Sequence, residues 1–428
     1  MSKKLGARAV AARLLAPVIL AEHALNLDAK GVTSDNRALV QTLTMGVLRN
    51  YFYLRALADQ LLAKPLKKKD TDIVALILLG LYQLDALRTP DHAAIAETVE
   101  AAKQLGKQWA AKLVNGVLRH FQRRQDELKQ HILADDAAQY NHPLWLLERL
   151  RRDYPDQWPQ IVTANNQQPP ICLRANTLKL QREHLVTQFS GVEVEMLEHA
   201  NDGLRLLSPV VVTDLPGFTE GCFSVQDEAA QLAAPLLHGG APTKILDACS
   251  APGGKASHLA ERYPDAELTC IELEQARLAK VKENFARLQL TADFVCADAS
   301  ALDTWWDGRL FDAILLDAPC SGSGVVRRHP DIKLLRRESD VAKLARLQQD
   351  LLTCLWPTLA PGGVLLYATC SILPDENEAV VRRFLDAVAD AEHDPIRASW
   401  GQARSLGRQL LPQQGGHDGF YYCRLIKT

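Results

Sequence analysis

From residue 245 to the C-terminus, short apolar runs alternate with segments of helical period, and this alternation constrains the fold more than any other feature of the chain. Runs at 245–248, 268–271, 294–296, 311–316 and 364–367 have strand length and composition. Helix-period segments begin at Lys255 and cover 275–288, 340–359 and 376–388. A last strand pair is expected at 409–411 and 420–426. Strict alternation of this kind predicts an α/β doubly wound sheet of parallel strands. Ligands of such sheets lie beyond the carboxyl ends of the strands. The residues that end each run are therefore the first candidates for a site.

The first half of the chain reads differently. Residues 5–137 predict helices and little else, with apolar three-to-four spacing over 9–27, 38–48, 73–87 and 93–105. Ser34 or Asp35 can cap the second of these, and Asp70 or Thr71 the third. A basic loop holding Lys67, Lys68 and Lys69 interrupts the pattern, either as a solvated turn or as a nucleic-acid contact. Two more helices are expected within 144–166. Strands at 171–174, 192–196, 204–207 and 222–225 with a helix at 182–189 then make a small α+β segment, and a helix over 227–237 leads into the sheet. The expected organisation is an all-α domain at 1–140, a linker with a small α+β domain at 141–240, and the doubly wound domain at 241–428.

Composition narrows the classes. No apolar run approaches the roughly 20 residues that span a bilayer, and residues 1–10 lack the apolar core of a signal peptide. A cytoplasmic location with no membrane partner is expected. Nine cysteines without any C-x-x-C pair argue against a disulfide framework or a structural zinc site. Cys172, Cys270, Cys296 and Cys354 are expected as small buried hydrophobes. Residues 1–140 carry 20 Lys and Arg against 14 Asp and Glu, although the whole chain has net charge −2. A basic module joined to an acidic one hints at a polyanion partner.

The first strand of the doubly wound region runs into Asp247-Ala248-Cys249-Ser250-Ala251-Pro252-Gly253-Gly254-Lys255. Gly253 and Gly254 let backbone approach a ligand where a helix N-terminus offers unpaired amides. The turn is neither G-x-x-x-x-G-K-[ST] nor G-x-G-x-x-G, which lowers the odds of a nucleotide hydrolase or a dehydrogenase. Glu272 follows the second strand and Asp298 the third, placed for ribose hydroxyls and an adenine amino group. The alternative for each alone is a solvated or capping carboxylate. Together they suit an adenosine cofactor without requiring phosphate.

The fourth strand ends in Asp317-Ala318-Pro319-Cys320 and the fifth in Ala368-Thr369-Cys370-Ser371. Amino-group methyltransferases typically carry an aromatic residue where Cys320 stands. Neighbouring strands lie about 4.8 Å apart, so both thiols should overlook the edge that holds the cofactor. That pairing suits methyl transfer to C5 of a pyrimidine, because C5 becomes nucleophilic only after a thiolate adds to C6. One cysteine attacks and the other can serve proton removal or release; chemistry alone does not assign which.

Residues 171–428 resemble the Nol1/Nop2/Sun (Fmu) family of RNA cytosine-5 methyltransferases. The likeness is carried by Arg174-Ala175-Asn176-Thr177-Leu178, Gln226-Asp227-Glu228-Ala229, the 247–255 turn, 317–324, 368–371 and Gly419-Phe420-Tyr421-Tyr422. The helical residues 1–140 resemble the NusB-like RNA-binding fold. The resemblance implies a class I (Rossmann-like) methyltransferase using S-adenosylmethionine, held by Cys249, Ser250, Ala251, Pro252, Gly253, Gly254, Lys255, Glu272, Arg277, Asp298 and Asp317. It implies Cys370 as nucleophile and Cys320 in proton removal or release. It also implies 16S ribosomal RNA as partner, naked or in an early small-subunit particle, with a cytosine of the 967 type as target, and no metal. Lys255 could meet the cofactor carboxylate or the target base. Arg327 and Arg328, with His329, could hold RNA phosphates, or could sit in a solvated loop. Two other readings remain: a DNA cytosine-5 methyltransferase attacking through Cys320, and a non-catalytic RNA-binding assembly factor.

Overall fold

The computed structural model describes residues 5–132, 134–237 and 240–428; positions 1–4 of the N-terminal segment lie outside it. The chain forms two compact units, one of Met1–Gln167 with Val326–Arg337 and one of Gln168–Val325 with Glu338–Thr428. Among the described residues no helix is long and apolar enough to cross a membrane.

The first unit is all-α. Its centre is the helix Thr71–Ala86, whose residues 73–79 are all buried. A helix apolar all round must be surrounded, and Ala7–Ile19, Ser34–Arg49, Tyr51–Leu61, Asp91–Gln104 and Gln108–Arg123 supply residues to the same core. The helix expected over 9–27 stops at Ile19. Ala21 adopts a left-handed φ of 55°, and the amides of Ala21 and Glu22 turn back to Val18 and Pro17. The apolar spacing that continues through Leu25 and Leu27 belongs to a loop packed on the core. The cap of Ser34–Arg49 is Thr33, not Ser34 or Asp35, and Asn36 Oδ1 accepts the Thr33 amide at 2.8 Å.

Helices Leu144–Asp153 and Trp158–Asn166 cluster with this unit, as does the later stretch Val326–Arg337. That stretch is pinned by Lys333, which is 2% exposed. Its Nζ donates to the carbonyls of Arg49 and Asn141 at 3.0 and 2.9 Å and to Asn166 Oδ1 at 2.6 Å. Three oxygen acceptors match the three donors of an ammonium group, which is what makes a buried lysine tolerable.

The second unit contains two sheets. Strands β1 (Ile171–Ala175), β2 (Val194–Met196), β3 (Gly203–Leu206) and β4 (Phe223–Val225) form an antiparallel sheet in the order β2-β3-β1-β4, with helix Arg182–Gln188 packed on β1. The larger sheet has a parallel core. It comprises β5 (Lys244–Asp247), β6 (Glu267–Glu272), β7 (Asp293–Cys296), β8 (Phe311–Asp317) and β9 (Leu359–Thr369), in the order β9-β8-β5-β6-β7. Residues 313–316 of β8 are all buried, as expected of a strand covered on both faces.

Two expectations change here. The last strands are antiparallel: β13 (Phe420–Lys427) runs against β9, β10 (Ala391–Asp394) and β12 (Arg408–Leu410) run against β13, and the short β11 (Gln402–Ala403) runs against β12. Alternation of apolar runs reports strand length but not direction. Cys296 is exposed and Cys354 half-buried, whereas Cys172 and Cys270 are buried. Cys296 ends β7, which lies at the edge of the sheet and so lacks a covering neighbour.

Candidate active site

The carboxyl ends of the parallel strands lie in register, with Asp247 of β5 opposite Leu315 of β8 and Asp317 of β8 opposite Ala368 of β9. After β5 the chain makes the 248–253 turn. Ser250 donates its amide to Ile271 O at 2.9 Å, and Gly253 donates to Ser250 O at 2.7 Å. Gly253 sits at φ 98°, where a Cβ would also come within 3.2 Å of Val281 Cα. Only glycine takes this position without strain. Helix Gly254–Arg262 starts there, so its free amides face the same edge.

Buried Arg174 braces this helix. It donates to Glu261 from two nitrogens at 3.1 and 2.8 Å, to Gly254 O at 2.8 Å, to Ser257 Oγ at 3.1 Å and to Gln226. Asp227, in the neighbouring motif, accepts the amides of Ala229 and Asp418. The residues that carried the family likeness outside the turns therefore hold the site's frame together.

The carboxylates fall into two kinds. Asp247 is 1% exposed, and among the described residues no side chain donates a hydrogen bond to its oxygens; the Cys249 amide is the donor beside them. Burial first, then repulsion from Asp317, pushes its pKa up to about 8 against the pull of Lys255. Glu272 is also buried but accepts from Arg277 at 3.1 Å and from the Glu274 amide at 3.2 Å. Arg277 reaches on to Ala251 O at 3.3 Å. Asp298 is exposed and takes the amide and hydroxyl of Ser300. A buried carboxylate with no side-chain donor, further acidic groups and a helix N-terminus fit a cationic adenosyl ligand that carries its own carboxylate. Burial pushes the Cys249 thiol up, and Asp247 adds to it, so that thiol is a poor nucleophile.

Beside this cradle, Cys320 Sγ and Cys370 Sγ stand 3.3 Å apart. Lys255 Nζ donates to Asp317 Oδ2 at 2.8 Å and lies 4.8 Å from the centre of the Phe420 ring. Burial works against the Lys255 ammonium, but the attraction of Asp317 outweighs it and the pKa stands above that of an ordinary lysine. The turns bearing the thiols are tied to one another: Ala318 N donates to Ala368 O at 2.8 Å and Gly324 N to Cys370 O at 2.9 Å. Gly324 has no room for a side chain, since a Cβ would meet Gly419 O at 2.2 Å.

Sequence reasoning missed Asp247 as a buried group and missed Glu376 altogether. Glu376 is fully buried and accepts from the amide and hydroxyl of Ser321 at 2.7 and 2.6 Å, from Ser371 Oγ at 2.6 Å and from Gln348 Nε2 at 3.3 Å. In the sequence it stands beside Asp375, like any exposed acidic pair, so nothing signals its burial.

The basic residues expected to meet RNA all belong to the helical unit. Lys67, Lys68 and Lys69 are exposed in the helical unit, with Lys68 3.6 Å from Glu22. Arg327 is fully buried, so its guanidinium is not displayed to solvent; Arg328 is half-buried. Both belong to the stretch that folds into the helical unit, which is why a solvated loop reading fails for Arg327.

Comparison with known proteins places these features together. Residues 235–426 match the family described as 16S rRNA methyltransferase RsmB/F, 6–123 match the NusB family, and 142–213 match an RsmF/B-like ferredoxin-like domain. The crystal structure of PH0851 superimposes with a TM-score of 0.80 over 100% of each chain at 22% identity, a likeness of fold. A ribosomal RNA small subunit methyltransferase B from Pseudomonas putida is 46% identical over 98% of both chains. One from Vibrio cholerae is 45% identical over 98% of this chain and 97% of its own. At that identity over its full length, the chain belongs to the ribosomal RNA small subunit methyltransferase B family.

Proposed function

We propose that the chain methylates C5 of a cytosine in 16S ribosomal RNA, of the 967 type, through a covalent adduct between Cys370 and C6 of the base. The observation that carries this reading is the pair of thiols 3.3 Å apart beside the Lys255–Asp317 pair, at the carboxyl edge of the parallel strands. Amino-group methylation needs no thiol at that edge; addition to a pyrimidine does.

S-adenosylmethionine, when bound by 249–255, Glu272, Arg277, Asp298 and Asp317, supplies an electrophilic methyl group. The target cytosine has to leave any stack to reach the thiols. Cys370 adds as thiolate to C6, which makes C5 an enamine carbon able to form the new C–C bond. The C5 proton then passes to a base, with Cys320 assisting, and the S–C6 bond breaks to free Cys370. Lys255, held by Asp317, keeps a positive charge where the thiolate and the developing negative charge on the base need one. The substrate, naked RNA or an early particle, is held through phosphate and shape contacts, and the enzyme works in the cytoplasm.

The test uses 16S RNA containing 5-fluorocytidine with S-adenosylmethionine, followed by peptide mapping. Fluorine at C5 cannot leave as a proton, so the adduct is trapped. Attachment at Cys370 supports the reading. Attachment at Cys320 keeps C5 methylation but reverses the roles, and no attachment despite cofactor binding rejects covalent catalysis.

A further inference from the structure

Cys320 Sγ and Cys370 Sγ stand 3.3 Å apart, and a disulfide needs about 2.05 Å. Joining them takes a closure of about 1.3 Å, divided between two side chains. The backbone suits it. Asp317 pairs with Ala368 in the parallel ladder, and such strands lie about 4.8 Å apart. That spacing falls inside the window of about 4.4–6.8 Å that the Cα atoms of a disulfide occupy.

Beyond the strands the two turns stay together. The Gly324 amide donates to Cys370 O at 2.9 Å. The residues that follow the two cysteines share one carboxylate, since Ser321 Oγ and Ser371 Oγ each donate to Glu376 Oε2 at 2.6 Å. Ser371 Oγ also lies 3.0 Å from Ser323 Oγ and 3.3 Å from Ser321 Oγ. Two thiols held this way meet at an effective concentration far above any in free solution. Both are half-buried, so a small solute reaches them, whereas Cys172, Cys270 and Cys423 are buried.

We infer that Cys320 and Cys370 form a reversible disulfide in response to a hydroperoxide, and that this bond is an off state of the methyl-transfer site. This rests on the reading of Cys370 as nucleophile and adds a regulation that the reaction itself does not require. The chemistry closes in two steps. One cysteine, as thiolate, attacks the peroxide: an S–O bond forms, the O–O bond breaks and a water leaves, giving a sulfenic acid. The second thiol attacks that sulfur: an S–S bond forms, the S–O bond breaks and a second water leaves. Both thiol protons end in the waters. The sulfurs lose two electrons and the peroxide gains them.

The short contact lets either cysteine resolve the other. Capture matters, because a sulfenic acid without a thiol neighbour goes on to a sulfinic acid that ordinary thiols do not reduce. A disulfide, in contrast, returns to two thiols by exchange with a dithiol. While the bond stands, neither sulfur can add to C6. The pairing thus stops turnover and preserves the sulfur on which turnover depends.

The test treats the full-length protein, without RNA, with hydrogen peroxide at a level that oxidises free glutathione in the same buffer. Remaining thiols are blocked with iodoacetamide and peptides are mapped without reduction. A linked Cys320–Cys370 peptide should appear, and methylation of 16S RNA should fall in proportion to it. Dithiothreitol should restore both thiols and the activity. Cys320→Ala removes the resolving thiol, so Cys370 should then accumulate as a sulfinic acid that dithiothreitol does not reverse, read by mass alone. Recovery of both cysteines of the parent as alkylated thiols, or of its Cys370 as sulfinic acid, overturns the inference and leaves the covalent mechanism standing. A linked peptide with undiminished methylation overturns the off state together with Cys370 as nucleophile.

Discussion

Arg174 and Glu261 form a two-nitrogen ion pair, at 3.1 and 2.8 Å, in which neither side chain is more than 2% exposed. The pair joins β1 to the helix whose first residue, Gly254, gives Arg174 its carbonyl. Arg174→Ala would strand the Glu261 carboxylate, which burial already raises and Arg174 holds down. Breaking a buried pair from one side costs about 3–5 kcal/mol. Urea unfolding of the variant should show a loss of that size together with weaker cofactor binding. Arg174→Met combined with Glu261→Leu should recover much of the stability, since no charge is then left unpaired. A single variant that loses less than about 1 kcal/mol would show the pair to be incidental.

The thiols should separate cleanly by variant. Cys370→Ala is expected to abolish methylation while cofactor affinity stays within a few-fold, because Cys370 lies outside the 249–255 turn. Cys320→Ala should still form the adduct but release it slowly, so that protein accumulates covalently on RNA in a denaturing gel. If Cys320→Ala behaves like Cys370→Ala, both thiols act before the adduct.

At Gly253 the backbone, with φ 98°, excludes side chains as firmly as packing does. Gly253→Ala places a methyl against Val281 and holds alanine in a conformation that costs about 1–2 kcal/mol. Thermal unfolding should drop accordingly, and S-adenosylmethionine should raise the melting temperature of the variant less than that of the parent. An equal rise in both would mean that this turn does not shape the cofactor site.

What could be read from the sequence follows from which interactions are local. Strands β5 to β9 and the helix Gln275–Leu288 declare themselves by period, and the cysteines by the strands they end. The antiparallel direction of β13 does not, because side-chain alternation is the same either way. Helices Tyr51–Leu61 and Gln108–Arg123 passed without boundaries of their own. Arg327 looked like a loop cation because burial of a charged residue is decided by partners far away in sequence, as Lys333 with Arg49 and Asn166 makes plain. Glu376 was invisible for the same reason: its partner Ser321 lies 55 residues upstream.

Asp247 should leave a pH signature. Its carboxyl has an ordinary value of 3.8 and is pushed up to about 8 in the folded chain. A raised acid binds a proton in the folded state where the unfolded chain has lost it. Its contribution is therefore fully present below about pH 4 and is lost as pH rises toward 8, at up to about 1.4 kcal/mol per unit. Asp247→Asn removes the titration. Its stability relative to the parent should therefore climb between pH 4 and 8, measured by urea unfolding at several pH values. A cationic ligand beside the carboxylate should reverse the sign by favouring its charged form. S-adenosylmethionine binding near pH 7 should then release a proton from the parent and not from Asp247→Asn, which calorimetry in buffers of different ionisation enthalpy resolves. A stability difference that is flat across pH 4–8 would mean that Asp247 is already ionised in the folded chain, held by Lys255 against the repulsion of Asp317.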